Sequence, residues 1–414
     1  MNIRRWAAAI SVVAVPCLAA ASCDPVASPD GTAQVTSRVD MAHTGVSKTV
    51  LGANPSVRWR HSFGSNAGIE SPLIVGDLVV APVVEWTDEP VETRTGFAYV
   101  VAFDRASGEE QWRTPALGEW PTALGLAAGG GRVFAADYAG STLTAIDLAT
   151  GALLWTGDVP TWPGRPPVVA GNEVYVSTGG SSDDPSAKLW SFDARTGAVR
   201  WKQTVRIGGD SSPAVAGDAV YVSARGATQA MRRSDGRVLW HREDGSSNPN
   251  GTDVIVRNGR VYAIGTRFTR YPESWRGDIL SQETGAKLET IQATLAPAVG
   301  TGNFVYVNQG NLVNRTVDGV TVRWRRRFGS IEAPVIAGQT ILGLVRKADP
   351  TDSQAPGTGA LVGVRVSDGG EVFRLPLGAF PEAYLARDWS WPPRVAAGNH
   401  TIAFVYGNEI VVAG

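Results

Sequence analysis

The sequence is poor in the residues that staple or arm a protein. Its 414 residues include two cysteines, Cys17 and Cys23, both close to the start. A body built from the rest can form no internal disulfide, so its stability must come from packing. Histidine is equally scarce: His43, His61, His241 and His400 lack the close spacing of a zinc site, and no metal ligands are assigned. The formal net charge is −1, and Arg325-Arg326-Arg327 is the only basic run, read as a solvated strand edge. Nothing in that balance points to nucleic acid. The apolar run at 7–21 is too short for a transmembrane helix.

What the chain does have is turns and strand formers. The 48 glycines and 25 prolines suit a turn-rich all-β protein, and 43% hydrophobic residues can fill a large core. The organising stretch is Ala145-Ile146-Asp147-Leu148-Ala149-Thr150-Gly151-Ala152-Leu153-Leu154-Trp155, which reads as strand, tight turn, strand. Asp147 can accept bonds from turn amides, Gly151 tolerates positive φ, and Trp155 stands on the returning strand. The pattern recurs with Asp104, Gly108 and Trp112, and again with Asp193, Gly197 and Trp201. Weaker copies lead to Trp240, Trp324 and Phe373, while Thr284-Gly285 keeps the turn and leaves Leu288 in place of a tryptophan. Since Asp gives way to Arg232, Ser281, Arg315 and Arg365, the position reads as a turn requirement rather than a metal ligand.

A proline, a short apolar run, a turn and a longer strand precede each hairpin, as in Ser212-Pro213-Ala214-Val215-Ala216-Gly217-Asp218. Each unit is therefore four short strands, the signature of a propeller blade. Eight proline-strand motifs against seven complete hairpins predict an eight-bladed β-propeller of four-stranded antiparallel blades. The missing outer strand falls at 55–60, including Trp59, where it completes the last blade with the C-terminal strands and hides two sheet edges.

Residues 102–112 and 145–155 fully match Ala-x-Asp-x-x-x-Gly-x-x-x-Trp, and 191–201 match it with Ser for Ala. This resembles the tryptophan docking motif of the PQQ-like (quinoprotein-type) repeat family. Asp40-Met41-Ala42-His43-Thr44-Gly45, followed by Val57-Arg58-Trp59, is similar to the lead-in of bacterial members, BamB-type lipoproteins among them. The resemblance implies the fold for nearly the whole chain and leaves the activity open, because this architecture hosts many functions.

Residues 1–22 read as an export signal, with Arg4 and Arg5 ahead of the apolar run. Leu18-Ala19-Ala20-Ala21-Ser22-Cys23 resembles a bacterial lipobox, with Ala20 where leucine is usual, which makes Cys23 the expected lipidation site. Conventional cleavage and a secreted soluble protein form the rival reading. The expected organisation is a signal at 1–22, an anchor and flexible tether at 23–47, with its last part, the family-like lead-in, open to lying against the propeller, and a propeller at 48–414.

Loops between second and third strands share one face with the blade-to-blade links, and on that face they alternate long and short. The opposite face keeps tight turns. The elaborated face also collects Trp86, Trp120, Trp162, Arg165, Tyr271, Trp275, Trp389 and Trp391 outside the repeat. These residue types dominate binding at interfaces, which makes them partner-binding candidates. The bland alternative is that they pack between blades.

The expected function is a non-catalytic scaffold, anchored outside the cytoplasm as a monomer, that holds an envelope protein or extended peptide. No catalytic residue and no cofactor are assigned. Two alternatives stand beside it. The family resemblance implies quinone- and calcium-dependent alcohol or sugar oxidation, but there is no adjacent cysteine pair and no evident acidic ligand set. A small-ligand sensor would use the central channel, whose expected lining of small apolar residues offers few polar groups. Gly209-Asp210-Ser211-Ser212 has no partner histidine and reads as a turn.

Overall fold

A computed structural model describes residues 35–36, 38–87, 95–118, 124–137, 140–159, 166–179, 187–205, 211–224, 227–243, 254–264, 277–293, 296–328, 330–331, 334–347, 357–379 and 395–414. All regular structure among them is strand, arranged as eight sheets that follow one another around a ring. Blade 2 shows the plan: Leu124–Gly129 lies innermost, then Arg132–Asp137, Thr142–Asp147 and, at the outer edge, Leu153–Asp158. Innermost strands run from the elaborated face to the plain face, where tight turns join first to second and third to fourth strands.

Ring closure is as the sequence predicts. Val57–Ser62 is the outer strand of blade 8 and pairs antiparallel with Glu409–Ala413, from Val57 against Ala413 to Ser62 against Glu409. The sheet order then continues through Thr401–Tyr406 to Val395–Gly398.

The core is not one mass but a set of wedges, one in each of the eight seams between blades. Strand alternation explains this. Leu73 and Val75 of blade 1 pack towards blade 2, whereas Ile74 between them packs towards blade 8. Both faces of inner strands are thereby buried, which is why they read as continuous apolar runs.

The repeated hairpin is the device that locks neighbouring wedges. In blade 2, Asp147 Oδ1 accepts the amides of Ala149 and Thr150 at 3.1 and 2.9 Å, as the turn reading requires. A register shift between Ala145 and Ile146 sets Ala145 opposite Trp155, so a small residue faces the indole across the strand pair. The indole itself serves the next blade. Six tryptophans, Trp59, Trp112, Trp155, Trp201, Trp240 and Trp324, donate Nε1–H to a turn carbonyl of the following blade at 2.7–3.2 Å. Their rings lie on that blade's turn glycine. At Gly151 (φ 72°) an added Cβ would stand 2.7 Å from Cε3 of Trp112. The glycine is therefore needed twice, for its backbone angle and for the ring pressed against it.

Two seams lack the indole: Phe373 stands in its place between blades 7 and 8, and the seam of blades 5 and 6 is built differently again. Counting four residues on from Gly285 reaches Glu289, not Leu288, which is 51% exposed. Glu289 crosses from blade 5 to blade 6 and accepts both terminal nitrogens of Arg315, at 2.6 and 3.0 Å. Arg315 is buried and its guanidinium also lies over Phe304, 4.8 Å from the ring centre. An ion pair replaces the indole there.

Turn carboxylates give the ring an acid limit. Arg200 donates to Asp193 at 2.7 Å and, with turn donors, holds its carboxyl down to about 2 against the usual 3.8. A depressed native pKa stabilises the fold above the unfolded value, and that stabilisation is lost as pH falls from about 4 towards about 2. The thermal midpoint should fall across this window, and Asp193→Asn should flatten the fall. An unchanged slope in that variant would remove Asp193 from the acid response.

Candidate functional site

The axis of the ring is occupied by the chain's own beginning. Val35–Thr36 pairs antiparallel with the innermost strand of blade 2, Val35 opposite Ala128 and Thr36 opposite Ala127. After a turn the chain circles the channel and offers its carbonyls to one blade after another. Met41, Ala42, Thr44 and Gly45 accept the amides of Val215, Val256, Val299 and Ile336, at 2.7–3.0 Å, in blades 4, 5, 6 and 7. Val46–Ser47 then pairs in parallel with blade 7, and Ser47 accepts from Gly338 at 3.0 Å. Thr49 Oγ1 accepts from the His400 amide of blade 8 at 2.7 Å before the chain leaves on the plain face.

Side chains of the same segment fill the space between the blades. Val39 packs into the seam of blades 7 and 8, Met41 into that of 3 and 4, and Val46 into that of 6 and 7. Arg38 and His43 are fully buried, and Arg38 donates to the Pro297 carbonyl. Asp40 accepts the Thr44 amide and hydroxyl at 2.9 and 2.5 Å. Burial pushes its carboxyl above the usual range, while the Thr44 donors and Arg257 pull the other way. Residues 35–47, expected from sequence as the end of a tether, are thus part of the folded body, which begins before residue 48.

A second feature opens towards the elaborated face. Between blades 6 and 7 lies a groove of about 630 Å³ with Phe328, Val345 and Pro376 among its apolar lining and Arg326, Arg327 and Arg374 at its sides. Arg326 donates to the Gly369 carbonyl at 2.8 Å and reaches Glu371 at 3.3 Å, with its guanidinium 5.4 Å from the Phe328 ring centre. Arg374 also bonds Glu371, whose carboxyl it holds below the usual range. Arg327 is exposed and has no carboxylate partner among the described residues. Two guanidiniums share the Glu371 carboxylate and the third stands beside them, which leaves the groove cationic. Its wall includes Val322–Arg327, the outer edge strand of blade 6. The basic run read as a solvated edge is therefore partly a groove wall, because strand alternation turns Arg326 inward.

Side chains that could suggest catalysis have structural work. Ser211 Oγ accepts the Ser223 amide at 3.1 Å, and Ser212 Oγ donates to the Pro166 carbonyl at 2.6 Å. His61 meets Phe63 edge to face and Phe103 at a tilt, and its burial lowers its pKa. His400 meets the Val50 carbonyl at 2.7 Å. No grouping of three or more His, Cys, Asp or Glu suited to a metal ion occurs among the described residues.

Of the partner-binding candidates, Trp86 is described. It ends the strand Leu78–Trp86, half-buried against the seam of blades 1 and 2, with its amide bonded to the Asn66 carbonyl at 3.0 Å. Trp120, Trp162, Arg165, Tyr271, Trp275, Trp389 and Trp391 lie outside the described residues, as does Cys23.

Comparison with known proteins fits this geometry. The model of the family described as outer membrane protein assembly factor BamB matches residues 96–271. BamB from Moraxella catarrhalis is 16% identical over 87% of this chain and 97% of its own, with a TM-score of 0.57. A quinohemoprotein alcohol dehydrogenase from Comamonas testosteroni is 12% identical over 92% of this chain and 80% of its own, with a TM-score of 0.65. A europium-containing methanol dehydrogenase gives a TM-score of 0.58 at 13% identity, over 84% of this chain and 86% of its own. No curated protein matches. At these identities the likeness is one of fold, and it joins an assembly factor to dehydrogenases.

Proposed function

We propose that this chain, a PQQ-like β-propeller protein, is an exported lipoprotein anchored through Cys23 that acts as a non-catalytic scaffold for an envelope protein or an extended peptide. The observation that carries the reading is the cationic groove between blades 6 and 7, with its apolar floor, beside the edge strand Val322–Arg327 and on the side of the long loops. Such a groove suits an extended segment bearing acidic and apolar side chains, which could add its backbone to the strand edge. The tryptophans expected on the same face would supply further desolvated anchors.

Affinity capture from native envelope extract tests this. The bait should retain residues 35–50, because they are part of the fold, and should be compared with Trp120→Ala/Trp162→Ala/Trp391→Ala and with Arg327→Glu. Arg327 is exposed, so its reversal should change stability by no more than about 0.5 kcal/mol. A partner held by the unaltered bait and reduced ~10-fold or more by either folded variant is the expected result, a loss of about 1.4 kcal/mol. Equal capture by all three removes this site.

The fold shared with quinoprotein dehydrogenases keeps oxidation as a second reading. The described part of the channel does not fit a quinone and calcium pair well: residues 35–50 cross its axis, and no acidic cluster stands there. Dye reduction by protein supplied with quinone, calcium and an alcohol would restore that reading, and its absence together with absent quinone binding would end it.

A further inference from the structure

We infer that the plain face of the ring lies against the lipid surface, with the elaborated face and its groove turned away from the membrane. The inference rests on the proposed lipidation of Cys23 and adds an orientation that anchoring alone does not give.

The argument starts from the direction of Val35–Thr36. It is antiparallel to the innermost strand of blade 2, and Val35 is opposite Ala128, one step nearer the plain-face turn than Ala127. The chain therefore rises into the channel from the plain face. Eleven residues separate Cys23 from Val35, a span of at most about 40 Å when fully extended. An anchor beneath the plain face needs little of that length. An anchor on the other side would take the linker across a four-stranded blade and then up its height. Those legs measure roughly 15 and 20 Å, before any loop is cleared. The detour takes nearly the whole reach, whereas an anchor beneath the plain face takes little of it.

A second observation is independent of the linker. Among the described residues, large exposed apolar side chains gather at the plain-face ends of the outer strands. Leu154, Val199, Leu239, Leu288 and Val320 mark blades 2 to 6 in turn, and Val50 stands beneath the channel, all between 44 and 82% exposed. Scattered exposed apolar residues are ordinary. One within three residues of the turn glycine in each of five successive blades, on the face where the anchor arrives, is a rim suited to an interfacial lipid layer.

The test uses the full chain in vesicles of phosphatidylethanolamine and phosphatidylglycerol with an energy acceptor on a headgroup. Lipidation consumes the Cys23 thiol, so one introduced cysteine gives one labelling site. Ala149→Cys marks the plain-face turn of blade 2, and Asp158→Cys marks the other end of its outer strand. The two are separated by about 20 Å of strand, and energy transfer at Ala149→Cys should exceed that at Asp158→Cys by ~2-fold or more. Equal or reversed transfer in membrane-bound protein overturns the orientation while leaving the anchor intact. If instead unaltered protein stays soluble, as Cys23→Ser should, the anchor fails and the orientation falls with it.

Discussion

A chain starting at residue 51 should be less stable than one starting at residue 35 by about 5 kcal/mol, although the shorter chain keeps every strand of the eight blades. Four innermost-strand amides, those of Val215, Val256, Val299 and Ile336, and the amide of the turn residue Gly338 donate to carbonyls of residues 41–47. Each such bond contributes about 1 kcal/mol net, and more where the donor is left without water. Removing the segment also uncovers the apolar contacts of Val39, Met41 and Val46 in three seams. Thermal midpoints of the two chains decide the matter, with a fall of roughly 10 °C expected for the shorter one. Equal midpoints would mean that water replaces the segment without loss.

The second large effect separates the two kinds of seam. Trp112→Ala should cost about 3–5 kcal/mol, because it empties a largely buried site and orphans the Leu148 carbonyl. Glu289→Ala should cost about 3 kcal/mol by a different route, since it leaves the buried Arg315 guanidinium without its carboxylate. The carboxylate is 29% exposed, which places the cost at the low end. Replacing both members, Glu289→Ala with Arg315→Met, should recover part of that loss, as no charge is then stranded. Urea unfolding of the four proteins gives the comparison. A double variant as unstable as the sum of its single changes would show that the pair is not coupled.

The ring was legible in the sequence because its hairpin demands residues that nothing else supplies. Asp147, Gly151 and Trp155 each answer a local requirement, and the requirement repeats. What the sequence could not show is that Trp112 sits on Gly151, since the two belong to different blades and touch only across a seam. The seam of blades 5 and 6 was misread for a simpler reason. Leu288 reads as the remnant of a tryptophan because it is apolar, whereas spacing from Gly285 selects Glu289. The channel segment was hidden more deeply. Residues 35–47 hold the ring largely through backbone carbonyls, which no side-chain pattern records, and their polar composition suggested a tether. The one signal in the sequence was the lead-in Asp40-Met41-Ala42-His43-Thr44-Gly45, which the resemblance singles out without saying where it lies. The candidate site was only partly legible. The basic run at Arg325-Arg326-Arg327 marks one side of the groove, but Val345 and Pro376 of the next blade complete its floor, and no local pattern joins them to the run.

Closure of blade 8 has a consequence for how the molecule is made. Val57–Ser62 is made before every other strand of the eight blades, and its partner, Glu409–Ala413, after them. At about 5–20 residues per second the interval is tens of seconds. Throughout it the first strand waits with an unmatched edge, and the amides of the inner strands appear one blade at a time beside carbonyls already present. A chain exported before folding would meet both halves of the clasp on the far side of the membrane. Retention of the early strand by a chaperone, or slow passage of the late one, would then set the rate at which finished rings accumulate.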